Sequence, residues 1–205
     1  MEAAIKAARN SREDTSGSVP RVGALAVIGN KIVGTAFRGQ DPKRPDDHAE
    51  FNLLEKTELK GISLVDATIY TTLEPCTHRS KDKTPCVKRL IDRKVARVVI
   101  GMLDPNPIVR GAGFRSLRAV NIPTDVFPHR FMSELEDLNR FFIGRIENDL
   151  VHRTTQEIGV VVSGYKDPRQ SGAAGYHLEC CLQNLRKIDS GEIPVIGQEA
   201  AFFQH

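Results

Sequence analysis

The 205-residue sequence contains no tryptophan and only nine phenylalanines, three tyrosines and four cysteines. So few aromatic side chains give little support for stacking unpaired bases, and a net charge of +3 does not by itself favour a nucleic-acid partner. No apolar run approaches the roughly 18 residues of a membrane-spanning helix, and the first twenty residues lack the apolar stretch of a signal peptide. We therefore expect a cytoplasmic protein with no membrane or nucleic-acid partner, whose cysteines are thiols or metal ligands.

What remains is the composition of an ordinary globular protein, with 40% hydrophobic and 27% charged residues. Alternation and apolar runs predict strands at 22–28, 32–37, 67–73, 96–102 and 124–127. Helical spacing predicts helices at 2–10, 48–59, 85–93, 113–119 and 131–149. Strands that alternate with helices favour an α/β fold, here a three-layer α/β/α sandwich around a mixed sheet.

The composition shifts beyond Val151. We expect residues 1–150 to form the main domain and residues 151–205 to form an appendage of unknown role. Its pattern is typical of a strand-helix-strand unit, with strands at 158–162 and 193–196 around a helix at 176–188.

Two short segments carry metal-ligating residue types. His48-Ala49-Glu50 opens a predicted helix, while Cys76 and Cys86 each follow a proline directly. One imidazole and two thiolates are three ligands for a tetrahedral zinc, which leaves the fourth position open, as in catalytic rather than structural zinc sites. A lone His-x-Glu or a lone cysteine pair is a weak signal, but their combination indicates zinc bound by His48, Cys76 and Cys86.

The acid next to the predicted ligands supplies the second half of the chemistry. Zinc lowers the pKa of a bound water towards about 7, and a carboxylate beside it can accept and return protons. Glu50 stands where a structural site would need a fourth ligand. The pattern therefore predicts a zinc-dependent hydrolase that breaks the C–N bond of a cyclic amidine, with Glu50 as its catalytic acid and base.

Longer segments around these residues resemble a known family. HAEFNLL at His48, TLEPCTH at Thr72, KTPC at Lys83 and GMLDPNPIVRGAG at Gly101 are similar to the pyrimidine deaminase domain of bacterial riboflavin biosynthesis. The resemblance reaches about Asn148 and implies a cytidine-deaminase-like fold. Its implied substrate is the nucleotide 2,5-diamino-6-ribosylamino-4(3H)-pyrimidinone 5′-phosphate, and homo-oligomers, dimers or tetramers, are also implied.

The resemblance also implies roles for residues that bind substrate. His78 and Lys83, in the loop between the cysteines, would reach the ribose and phosphate. Asp104 and Asn106, in the Asp-Pro-Asn-Pro turn, would hold the sugar hydroxyls and the phosphate end. From the residues alone, the Asp-Pro-Asn-Pro pattern is typical of a rigid turn that binds no ligand. Lys83, likewise, is typical of a solvated loop charge.

Several departures leave the substrate open. The family has an asparagine where this chain has Val19, the loop between the cysteines is one residue longer, and the partner reductase domain is not expected in the 55 residues after position 150. Alternatives are a deaminase of another small nucleotide or nucleoside, in secondary metabolism or defence, and a zinc-bearing binding module whose catalysis has lapsed.

Overall fold

The computed structural model of the protein describes residues 1–11, 19–57, 59–79 and 83–163. The chain divides into two compact units, Met1–Asp149 and Leu150–His205. In chain order the elements are α1 Glu2–Arg9, β1 Gly23–Ile28, β2 Lys31–Phe37, α2 Ala49–Glu55, β3 Ala67–Leu73, α3 Cys86–Asp92, β4 Arg97–Met102, α4 Ala112–Ala119, β5 Thr124–Val126, α5 His129–Leu138 and α6 Arg140–Ser163.

The five strands form one mixed sheet in the order β2-β1-β3-β4-β5. Strand β1 pairs antiparallel with β2 and with β3, whereas the β3–β4 and β4–β5 pairs are parallel. Strands β1 and β2 form a hairpin that turns at Gly29-Asn30, where Gly29 adopts a φ of +58°. Because β3 and β4 are parallel neighbours, their carboxyl ends lie side by side at one edge of the sheet.

Two sets of helices complete the layers. Helix α2 packs on β1 and β2 and contacts α3, which in turn contacts α4, whereas α1 and α5 contact each other and pack on β1 and β4. The predicted α/β/α sandwich with a mixed sheet is confirmed. Buried aliphatic side chains from the strands and helices fill its core, among them Leu25, Leu53, Ile69, Leu90, Ile100, Leu117 and Leu135.

The predicted helix at 131–149 is wrong in its continuity, because the structure divides it at Asn139 into α5 and α6. The Asn139 side chain accepts a hydrogen bond from the backbone N–H of Arg21 (2.7 Å) and donates to the carbonyl oxygens of Arg21 and Leu135. This clamp joins residues 118 positions apart. A helical pattern read along one segment contains no sign of it.

The strand predicted at 158–162 is also wrong, because these residues continue α6. A short apolar run does not distinguish a buried strand from a helix by its pattern alone. The helix predicted at 176–188 and the strand at 193–196 lie outside the described residues, and the role of residues 151–205 as a separate appendage stays a prediction. Among the described helices, none is both long and apolar enough to cross a membrane.

Candidate metal centre and active site

Three element ends converge at one edge of the sheet. His48 is the N-cap of α2, Cys76 lies three residues beyond β3, and Cys86 is the first residue of α3. The His48 Nδ1 atom lies 3.6 Å from the Cys76 Sγ and 3.5 Å from the Cys86 Sγ. All three potential ligand atoms lie within 4.8 Å of one another, so the residues predicted from sequence as ligands come together.

Local hydrogen bonds prepare the sulfur atoms for a cation. The backbone N–H of Cys86 points to the Cys76 Sγ at 3.4 Å, and the N–H of Val87 donates to the Cys76 carbonyl oxygen. A hydrogen bond from the Cys86 thiol, followed by one from His48, lowers the pKa of Cys76 to about 4. The shared proton, together with burial, raises the pKa of Cys86 well above its usual value. Of the two thiols, Cys76 is therefore the one that more readily becomes a thiolate.

Glu50 lies on the first turn of α2, two residues after His48, and only 3% of it is exposed. Its Oε1 atom lies 3.2 Å from the hydroxyl of Thr71, on β3. Burial raises the pKa of the Glu50 carboxyl group, while the charge of His48 opposes that shift. A carboxyl group with this raised pKa takes up a proton more readily than an exposed glutamate does, which suits a group that must accept and return protons. We call His48, Glu50, Cys76 and Cys86 the metal corner.

A cavity of about 270 Å³ opens onto the metal corner. His48, Glu50, Cys76 and Asp104 contribute polar groups to its wall. The remaining lining residues are Val19, Pro20, Val22, Arg38, Ala49, Leu73, Glu74 and Phe142. A mostly apolar pocket with a few convergent polar groups is typical of a small-molecule site.

A second cavity of about 150 Å³ adjoins the first, since both are lined by Glu74, Cys76 and Asp104. His78 lines this second cavity, with its Nδ1 atom 2.9 Å from the Thr77 hydroxyl. Burial raises the pKa of Asp104. The structure thus brings two of the four predicted substrate-binding residues to one place beside the metal corner.

The other two predicted residues lie outside both cavities. Lys83 is exposed in the loop between the cysteines, and Asn106 uses its side-chain oxygen to accept a hydrogen bond from the N–H of Ile108 (3.1 Å). We call His78, Lys83, Asp104 and Asn106 the rim. No contact in the described residues tests the roles assigned to them, which stay predictions.

Among the cavity-wall residues that sequence reasoning missed, three have charged or aromatic side chains. Arg38 follows β2, Phe142 comes from α6, and Glu74 is a buried acid directly after β3. The sequence does contain a sign of Glu74, because it places an acid directly after an apolar strand and two residues before a predicted ligand. An acid at such a position is seldom buried unless it has partners. The sequence contains no such sign of Phe142, since its spacing is that of an ordinary core residue.

The donor set fits zinc. Imidazole nitrogen and thiolate sulfur are the ligands that tetrahedral zinc prefers, and two thiolates with one histidine are a known three-ligand set of catalytic sites. Glu50, a buried acid that is not part of the ligand set, lines the same cavity as His48 and Cys76. Fold and site together define a zinc-dependent deaminase with a cytidine-deaminase-like fold.

Known proteins agree with this class. The family described as the cytidine and deoxycytidylate deaminase zinc-binding region matches residues 1–102. "Riboflavin biosynthesis protein RibD" of Escherichia coli is 39% identical over 146 residues, which are 71% of this chain and 37% of that protein. "Diaminohydroxyphosphoribosylamino-pyrimidine deaminase" of Buchnera aphidicola subsp. Schizaphis graminum is 35% identical over 150 residues, 73% of this chain and 95% of that protein.

A solved structure from Thermotoga maritima, a diaminohydroxyphosphoribosylaminopyrimidine deaminase/5-amino-6-(5-phosphoribosylamino)uracil reductase, aligns with a TM-score of 0.61 and 32% identity. The alignment covers 73% of this chain and 40% of that one. The chain spans about a third of the length of most of the curated relatives it matches. It belongs to the zinc-binding cytidine and deoxycytidylate deaminase family, in the branch of the riboflavin-biosynthesis deaminases, and the predicted zinc cofactor is confirmed.

Proposed function

We propose that the protein is a hydrolytic deaminase of a phosphorylated aminopyrimidine riboside, the diaminohydroxyphosphoribosylaminopyrimidine of its relatives or a close analogue. One observation carries the proposal: the buried acid Glu50 lines the same cavity as His48 and Cys76, two of the three predicted zinc ligands. A zinc site that serves only structure has no use for such a group.

The reaction exchanges one bond for another at the amidine carbon of the pyrimidine. Water adds to that carbon, its C–O bond forms, the C–N bond to the exocyclic amine breaks, and ammonia leaves. Zinc held by His48, Cys76 and Cys86 would supply Lewis acidity at this corner of the cavity. Glu50 takes a proton from the attacking water and gives it to the ring nitrogen. It then takes the remaining proton of the added hydroxyl and delivers it to the amine, which leaves as ammonia while the C=O bond forms.

The surroundings of Glu50 favour these proton transfers. Burial raises the pKa of Glu50, so the protonated carboxylic acid is an accessible intermediate rather than a costly one. Thr71 lies at hydrogen-bond distance from one carboxyl oxygen and restricts its position. Little bulk water competes for the proton, because the carboxyl group is buried.

The two adjoining cavities support a substrate with two parts. A pyrimidine would occupy the cavity of about 270 Å³ that faces Glu50, against the apolar side chains of Val19, Leu73 and Phe142. The ribosyl phosphate would extend into the cavity of about 150 Å³ beside His78 and Asp104, with Lys83 and Asn106 on the rim beyond. A carboxylate accepts hydrogen bonds from sugar hydroxyls, and a lysine is a point charge that suits phosphate.

Ammonia release from a substrate panel tests the proposal. We expect turnover of the phosphorylated diaminopyrimidine riboside by the zinc-loaded protein, and loss of turnover after chelation or in Glu50→Ala. Cytidine, deoxycytidylate, guanine and the dephosphorylated riboside complete the panel. Turnover of one of these in place of the diaminopyrimidine nucleotide would reject the substrate but keep the deaminase, whereas a zinc-loaded protein inactive on all of them would indicate lapsed catalysis.

One observation favours the second candidate, a deaminase of a different small nucleotide. Val19 presents an apolar side chain to the cavity at the position where the resemblance implies an asparagine. The pocket therefore lacks one amide that would recognise a polar edge of the substrate. The homo-oligomer and the cytoplasmic location expected from sequence stay predictions, and light scattering of the purified protein tests the first.

A further inference from the structure

Glu74 is a buried acid that the proposed chemistry leaves unused. Only 6% of the residue is exposed, although it lies between the end of β3 and the Pro75-Cys76 pair. The residue lines both cavities, as does Asp104. A buried carboxylate is costly unless charges or hydrogen bonds compensate it, so its partners indicate what it does.

All of its side-chain partners in the described residues are backbone N–H groups of one segment. Oε2 accepts hydrogen bonds from the N–H of Asp104 (3.1 Å) and of Gly111 (2.8 Å), and Oε1 accepts one from the N–H of Phe114 (3.0 Å). The segment runs from the end of β4 through the Asp-Pro-Asn-Pro turn to the first turn of α4. One side chain therefore fixes both ends of the turn that carries two rim residues.

The close packing of the segment against Glu74 gives independent support. A Cβ atom on Gly113 would lie 2.3 Å from the carbonyl oxygen of Pro75 and 3.1 Å from the Glu74 Cγ, so only glycine fits. Gly111, the N-cap of α4, has a φ of +75° and directs its N–H to the carboxylate. The position of the carboxylate at this helix end is also electrostatically favourable.

Hydrogen bonds within the turn stabilise its conformation but do not attach it to the rest of the site. Asp104 accepts a hydrogen bond from the N–H of Asn106 (2.9 Å), and the Arg110 side chain donates to the carbonyl oxygens of Asp104 and Pro105. These contacts join the turn to itself. Glu74 supplies side-chain contacts that join it to the strand leading into Cys76.

We propose that Glu74 is a positioning residue that holds Asp104 at the distance from the metal corner that the sugar of the substrate requires. The proposal rests on the proposed function, since it concerns the same site. Glu74 is not one of the predicted zinc ligands, and both oxygens of its carboxylate accept hydrogen bonds from backbone N–H groups; it acts through the backbone of Asp104. Its removal should therefore weaken substrate binding and leave the chemical step in place.

Glu74→Gln is the main variant, because the amide keeps the shape but places an NH2 group against one of the N–H donors. We expect KM for the phosphorylated riboside to rise roughly tenfold, the order of a lost hydrogen bond to a charged group, with kcat changed less than about threefold and zinc stoichiometry unchanged. Glu55→Gln is the matched control, since Glu55 pairs with Arg89 and lines neither cavity; its KM should match that of the wild type. A fall in kcat equal to the rise in KM, or loss of zinc, would overturn the positioning role.

A double-mutant cycle shows whether Glu74 acts through Asp104. In an Asp104→Asn background, Glu74→Gln should raise KM by no more than about twofold, because the group it positions is already changed. Effects on KM that multiply independently would contradict the proposal.

Amide hydrogen exchange decides the matter without any substrate. In the wild type, the N–H groups of Asp104, Gly111 and Phe114 should exchange at least about tenfold more slowly than in an unstructured chain. They should exchange faster in Glu74→Gln, with the sheet amides unaffected. Fast exchange of these three amides in the wild type would overturn the proposal. This outcome does not depend on whether the variant folds. Failure of the wild type to deaminate the riboside would instead reject the proposed function.

Discussion

The metal corner and the rim lie side by side but are built differently. Cys86 and Glu50 are 0% and 3% exposed, and two helix starts and the end of a strand position the residues of the corner. On the rim, His78 and Lys83 are exposed in a loop, and Asp104 owes its place to a buried acid from another element. We therefore expect substitutions in the corner to change the reaction itself, and substitutions on the rim and in the cavity wall to change substrate binding.

The largest effect is expected from removal of a ligand. In Cys86→Ala the metal corner keeps one sulfur and one imidazole, and we expect zinc content to fall well below one per chain. Activity should fall by more than about 100-fold, since even loss of groups that only support ligands costs roughly 10–100-fold. Metal analysis and ammonia release measure both quantities, and addition of zinc should restore the chelated wild type but not the variant. A fully active variant would refute the assignment of Cys86.

Glu50→Gln separates the acid from the metal. The amide is nearly isosteric and is not a proton carrier, so zinc should stay bound while kcat falls by roughly 10²–10⁴. KM should change little, because the variant keeps the shape of the cavity wall. A variant with full kcat would show that another group moves the protons.

Asp104→Asn tests the rim by changing a charge without a change in shape. The amide oxygen can still accept the hydrogen bond from Asn106, so the turn should persist. We expect KM to rise about tenfold, as for a weakened charge-assisted hydrogen bond, with kcat nearly unchanged. Comparison of the phosphorylated riboside with the free base makes the test more specific. The free base has no sugar, so its KM should be the same in the variant and in the wild type.

We also expect KM to depend on pH through Asp104. Burial raises the pKa of Asp104, so its carboxylate is protonated at a higher pH than an exposed aspartate would be. The charged form is the stronger acceptor; substrate binding should therefore be complete above that pKa and weaken as the pH falls through it. KM measured against pH should show this rise in the wild type, and Asp104→Asn should lack it. An identical KM profile for the two proteins would exclude Asp104 as its source.

The four residues of the metal corner could be selected from sequence because the signals that mark them are local, and their roles stay predictions. The ligand types, the prolines before both cysteines and the helix starts all lie within a few residues of the atoms they place. The strands β1 to β5 were predicted within a residue or two for the same reason, since apolar alternation extends along each one. The break at Asn139 and the anchoring by Glu74 depend on partners 30 or more positions away, which a pattern along one segment does not contain.

The smallest effect, and the one most specific to this chain, is expected at Val19. Its side chain is partly exposed on the wall of the main cavity, so an amide there can be solvated and Val19→Asn should leave stability nearly unchanged. A new neutral hydrogen bond contributes about 0.5–1.5 kcal/mol, which is a roughly 2- to 12-fold change in KM. If the protein uses the riboflavin-type substrate, the added amide should lower KM for it; if it has been redirected, the amide should raise KM for the actual substrate. The test is to measure KM for the riboflavin-type substrate and for the other substrate of the panel that is turned over, in the wild type and in Val19→Asn. The change in the ratio of these two KM values shows which substrate the added amide favours. An unchanged ratio would show that this part of the wall does not contact the base.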